Sequence, residues 1–90
     1  MRTVSIHITG KVQGVFFRQS SREKAIQLDI RGTVENLPDG SVYILAAGEN
    51  EAIEAFIEWC NIGPARAEIA EAKWEEQPLN TGFRDFYIIR

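Results

Sequence analysis

Cysteine occurs once, at Cys60, so no intrachain disulfide can close and no CxxC redox or zinc pattern exists. Histidine also occurs once, at His7, and His, Cys, Asp and Glu nowhere take the spacing of a metal site. No window approaches the roughly 20 apolar residues of a membrane span. The N-terminus lacks the apolar stretch of a secretory signal. A soluble, cytoplasmic protein is therefore expected. A basic surplus is missing too: 10 Lys and Arg stand against 13 Asp and Glu, a net charge of −3. That excludes a general nucleic-acid binder, which needs a basic face, and leaves room for a small anionic ligand held by local charge. The GxxxxGK[ST] phosphate loop, the GxGxxG dinucleotide fingerprint and a serine nucleophile elbow are all absent. No repeat, low-complexity tract or linker interrupts the 90 residues, which suit one domain, 1–90, acting as a monomer.

What is present is an ordered series of short elements. Val4, Ile6 and Ile8 alternate with Ser5, His7 and Thr9, the period of a strand with one buried face. Gly10–Arg18 follows as a glycine-bearing turn into a helix that runs to about Asp29. Ala25, Ile26 and Leu28 are its expected apolar side, with Ser21 packing closely. Ser20 and Glu23 have the spacing of a capping box, which would start the helix at Ser20. A start near Phe17, with a bound anion serving as the cap, is preferred. Gly32–Leu37 reads as a second strand and Pro38-Asp39-Gly40 as a turn. Ser41–Ala46 returns as a third strand, making a hairpin. Asn50 is placed to cap a second helix, with Glu51 and Glu54 in its first turn. Ile53, Phe56, Ile57 and Cys60 form the core-facing stripe of that helix, which Gly63-Pro64 ends. Ala67–Glu75 is a fourth strand whose irregular alternation predicts a bulge. After an Asn80-Thr81-Gly82 turn, Phe86–Ile89 forms a short terminal strand. The order β-α-β-β-α-β, with one more strand, predicts an α+β, ferredoxin-like βαββαβ sandwich. Two helices cover one face of a mostly antiparallel sheet, with a short extra C-terminal strand.

The chemistry concentrates in Gly10-Lys11-Val12-Gln13-Gly14-Val15-Phe16-Phe17-Arg18. Glycines allow main-chain amides to turn inward. A helix entrance adds unpaired N–H groups and partial positive charge. Arg18 supplies a planar fork for an oxyanion. The stretch is thus a candidate cradle for a phosphate-like anion. By position alone Arg18 also reads as a surface arginine, and Asn36 as an ordinary turn residue. His7 reads as a surface or packed residue with nothing nearby to pair with it. Cys60 is an inert small hydrophobe, and Trp59 and Trp74 are packing or partly exposed aromatics. Glu68, Glu71, Glu75 and Glu76 form a solvated face.

Gly10–Arg18 resembles the first signature of the acylphosphatase family at every defining position. Gly32-Thr33-Val34-Glu35-Asn36-Leu37-Pro38-Asp39-Gly40-Ser41-Val42, running on to Gly48, is similar to the second. Gly63-Pro64-Ala65-Arg66-Ala67 and Phe86-Tyr87-Ile88 match further landmarks, so the resemblance spans essentially the whole chain. It implies a ferredoxin-like hydrolase that cleaves acyl phosphates, the mixed anhydrides of carboxylic and phosphoric acids, to carboxylate and inorganic phosphate, with no metal or cofactor. The family's essential arginine falls on Arg18 and its essential asparagine on Asn36. The resemblance further implies that the amides of Gln13, Gly14, Val15, Phe16, Phe17 and Arg18 hold the phosphate. Asn36 would then orient a water for in-line attack, with a substrate phosphate oxygen as proton acceptor. Thr33 and Glu35 depart from the family pattern, where an aromatic and a basic or small residue are usual. They bear on affinity and substrate range. The alternatives to an enzyme are a non-catalytic anion- or protein-binding module of the same fold, and a ferredoxin-like RNA-binding domain. The second is disfavoured because the aromatic RNP signatures are missing.

Overall fold

Strand alternation builds the centre of the sheet. In the computed structural model, which describes residues Met1–Arg90, Val4, Ile6 and Ile8 of β1 (Arg2–Lys11) are fully buried. They pair directly with Ala46, Ile44 and Val42 of β3 (Val42–Gly48). Directly paired residues share a sheet face, so this register stacks the apolar sets of both strands on one side. The second strand, β2 (Arg31–Asn36), pairs antiparallel with β3, as the predicted hairpin requires. The remaining strands are β4 (Glu68–Gln77) and β5 (Phe86–Ile89). The sheet order is β4-β1-β3-β2-β5, and only the β2–β5 pairing is parallel. Helix α1 (Phe17–Gln27) lies over β2 and β5, and α2 (Asn50–Cys60) over β1 and β3.

The α2 stripe is as expected: Ile53, Phe56, Ile57 and Cys60 are all buried. Phe56 stacks on Trp59 and meets Phe86 edge-on at 6.0 Å, which ties the terminal strand to the core. Burial pushes the Cys60 thiol far above its ordinary range, so it stays protonated and unreactive.

Several local expectations need correction. The buried side of α1 is Phe17, Ser21 and Ala25, while Ile26 is half exposed. At about 100° per residue Ile26 lies about 140° around the helix from Ser21, the middle of that buried stripe, so it falls on the outer face. The helix ends at Gln27, not near Asp29, which has turned to a φ of 56°. It starts at Phe17, so Ser20 lies inside it, and the Ser20 N–H already donates to the Phe16 carbonyl at 2.9 Å. The Ser20–Glu23 capping box is therefore not formed. Asn50 does not cap α2 either. Glu49 has the extended capping conformation without a side-chain bond, and only Glu51 provides acid in the first turn. The Asn50 carboxamide oxygen instead accepts from Arg2 Nη1 at 2.8 Å. Arg2 also pairs with Glu54 and Glu76 and sits 5.4 Å from the centre of the Trp74 ring.

The irregular fourth strand contains the expected bulge. Thr9 pairs with Glu71 and Gly10 with Ile69, leaving Ala70 as the extra residue. Gly10, with φ 121°, permits this crossing: a Cβ there would lie 2.1 Å from the Glu68 carbonyl oxygen. A Cβ on Gly14, φ 74°, would meet nothing within 4 Å. Gly10→Ala should therefore cost about 2–4 kcal/mol, combining strain with a backbone collision. Gly14→Ala should cost only the left-handed strain, about 1–2 kcal/mol. Urea unfolding of both variants checks this order, and equal losses would contradict it.

Candidate active site

β1 ends at Lys11 and α1 begins at Phe17, so the connecting loop must reverse direction in five residues. It does so through positive φ at Gly14 (74°) and at Phe16 (61°). A left-handed phenylalanine, itself 69% exposed, is uncommon and is strained unless something is gained by holding it. The gain is visible in the hydrogen bonds. No N–H from Gln13 to Gln19 donates to a protein main-chain acceptor; the first to do so is Ser20, to Phe16. Left-handed residues at a helix entrance, where N–H groups are already unpaired, help turn those groups to one side as a concave anion site. The helix dipole adds positive potential at the same point.

This loop is one wall of a cleft of about 280 Å³. The lining includes Gln13, Gly14, Phe16, Phe17 and Arg18 from the loop and helix start, and Asn36 from the end of β2. Arg18 and Asn36, the two expected catalytic residues, therefore share one cavity. Val15 is the one residue from Gln13 to Arg18 outside the lining; its side chain belongs to the core, and its N–H stays among the unpaired amides of the loop. The Arg18 guanidinium makes one long bond, from Nη1 to the Ile89 carbonyl at 3.3 Å. Most of its donor fork remains for a ligand. The bonds formed around the cleft by Gln13, Arg18 and Ser41 leave the half-buried Asn36 carboxamide unused. Neither Thr33 nor Glu35 lines the cleft.

Val12, Gln19, Ile88 and Arg90 complete the lining and were not expected as site residues. Val12 and Ile88 lie within the Gly10–Arg18 and Phe86–Ile88 stretches that carry the resemblance, whereas Gln19 and Arg90 lie outside them. Ile88 and Arg90 arrive because β5 runs parallel to β2, pairing Ile89 with Glu35 beside Asn36.

His7 also needs correction, since it does have a partner. Its Nε2 lies 2.9 Å from Ser41 Oγ. That hydroxyl donates to Asp39 Oδ1 at 2.5 Å, so it accepts from His7. The Ser41 N–H donates to the same carboxylate oxygen at 2.9 Å. The Ser41 hydroxyl, then its amide, then the charge of His7 hold the Asp39 carboxyl below its usual range. A carboxyl with a depressed folded pKa binds protons more tightly when unfolded. Its contribution is complete above the ordinary carboxylate range, about pH 4, and is lost as pH falls through the lower folded value. Asp39→Asn retains an acceptor without the titration. Urea midpoints measured from pH 5 downward should fall more steeply in wild type than in this variant; parallel curves would contradict the network.

Comparison with known proteins identifies the family. The acylphosphatase family model matches residues 4–88. An acylphosphatase from Rubrobacter xylanophilus is 41% identical over 87 residues, covering 97% of this chain and 79% of that protein. The structure of an acylphosphatase from Coxiella burnetii superposes with a TM-score of 0.94 at 39% identity, covering 98% of this chain and 92% of that one. The acylphosphatase of Bacillus subtilis superposes with a TM-score of 0.96 at 31% identity, over all of both chains. The ferredoxin-like order read from the elements, the shared cavity of Arg18 and Asn36, and these likenesses along the whole chain place the protein in the acylphosphatase family.

Proposed function

We propose that the protein hydrolyses acyl phosphates to a carboxylate and inorganic phosphate. The observation that carries this reading is the run of unpaired amides from Gln13 to Gln19 beside Arg18. Phosphate oxygens accept from those amides and from the guanidinium, which neutralise charge as the transition state forms. The Asn36 carboxamide, with both donors and an acceptor to offer, holds a water in line with the P–O bond to the acyl group. Attack forms the new P–O bond, the acyl carboxylate departs with its electron pair, and the water's proton passes to a phosphate oxygen. Phosphoryl transfer of this kind asks chiefly for positioning and charge stabilisation. The acyl phosphate brings its own good leaving group.

The proposed unit of action is a monomer with a single domain over residues 1–90, since ten cleft residues from Val12 to Arg90 are gathered within this one fold. No helix is long and apolar enough to cross a membrane, and the net charge of −3 gives no general attraction to nucleic acid. The proposed setting is the cytoplasm, with a small acyl phosphate as the partner. Purified protein in chelator should release phosphate from acetyl phosphate well above the spontaneous rate. Saturable phosphate binding with no release would leave only an anion-binding module.

A further inference from the structure

Gln13 does more than lend its amide to the loop. Its carboxamide Nε2 donates to two carbonyls of the neighbouring connection, Leu37 at 2.9 Å and Ser41 at 2.8 Å. Those carbonyls bracket the β2–β3 turn, and Asn36 is the residue immediately before it. Both carbonyls already have partners: Leu37 N–H donates to Ser41 at 2.9 Å, and Gly40 N–H to Leu37 at 3.1 Å. The Gln13 bonds are thus not needed to satisfy buried acceptors. Their effect is geometric, because they use both donors of one side chain to tie the anion loop to the turn that carries Asn36. The two halves of the site come from different elements, and this side chain spans them. We infer that Gln13 is a positioning residue, which holds the Asn36 carboxamide in register with the phosphate bound by the loop.

The inference rests on the hydrolase reading. Gln13→Met keeps the side-chain volume and removes both donors. It should lower kcat about 10- to 100-fold, the scale of a displacement near 1 Å in the reacting geometry. Inhibition by inorganic phosphate should stay within about twofold of wild type, since the loop amides remain. In an Asn36→Ala background the same change should cost less than about twofold, because there is no carboxamide left to position. Equal losses in both backgrounds, an unchanged kcat in the single variant, or phosphate affinity falling in step with kcat would each overturn the assignment. If Gln13→Met does not fold, Gln13→Leu removes both donors without adding charge and is read through the same cycle. An inactive wild type would sink the hydrolase reading itself. An active wild type with additive losses would sink only the role of Gln13.

Discussion

Arg18→Ala is expected to lose phosphate binding and turnover together. The guanidinium lies in the cleft with one weak protein bond, to Ile89, so its remaining donors are available in both ground and transition states. A charged hydrogen bond contributes roughly 1.5–3 kcal/mol to binding, so phosphate affinity should fall about 10- to 100-fold. Charge on the phosphoryl oxygens is redistributed in the transition state, where removing one donor from a preorganised site costs a further 10²–10³ or so in kcat. Stability should change by less than about 1 kcal/mol, since the side chain supports little else. Arg18→Lys should recover part of the binding and less of the turnover, because an ammonium is a point charge without the planar fork. Inhibition constants for phosphate and single-turnover rates separate the two effects. Full turnover in Arg18→Ala would mean that the amides alone carry the charge stabilisation.

Asn36→Ala should show the other pattern. Its carboxamide faces the cleft without a protein partner and is assigned to water rather than to phosphate. Truncation should therefore leave inorganic phosphate bound within about threefold while kcat falls about 10²-fold or more, the scale expected for a lost reactant position. Asn36→Asp keeps the shape but places negative charge near the dianion, so it should weaken binding as well. Loss of affinity in the alanine variant equal to its loss of kcat would move Asn36 from the water to the phosphate.

Much of this arrangement could be read before any coordinates. The period-two alternation of Val4, Ile6 and Ile8 and the heptad-like stripe from Ile53 to Cys60 report burial directly. The bulge showed as broken alternation, and its position opposite Gly10 gives it a cause. The preferred start of α1 at Phe17 held, against a capping-box pattern at Ser20, because the loop leaves its amides open rather than capping them. Other features depend on pairings that no local pattern encodes. The approach of Arg90 to the cleft needs the parallel docking of β5 on β2. The diversion of Asn50 from capping needs Arg2, 48 residues away. The pairing of His7 with Ser41 needs the β1–β3 register, which brings Ile8 opposite Val42. The bonds of Gln13 to Leu37 and Ser41 are of the same kind: the glutamine sits in a legible motif, but its side-chain partners are fixed only in three dimensions.

The most direct test is a titration of ¹⁵N-labelled protein with inorganic phosphate, followed through the main-chain amide resonances. Large, saturable shifts are expected at Gly14 through Gln19, with the Asn36 side-chain amide also perturbed, and all of them strongly weakened in Arg18→Ala. Shifts confined to other surfaces, or no response from the Gly14–Gln19 amides at saturating phosphate, would contradict the anion cradle.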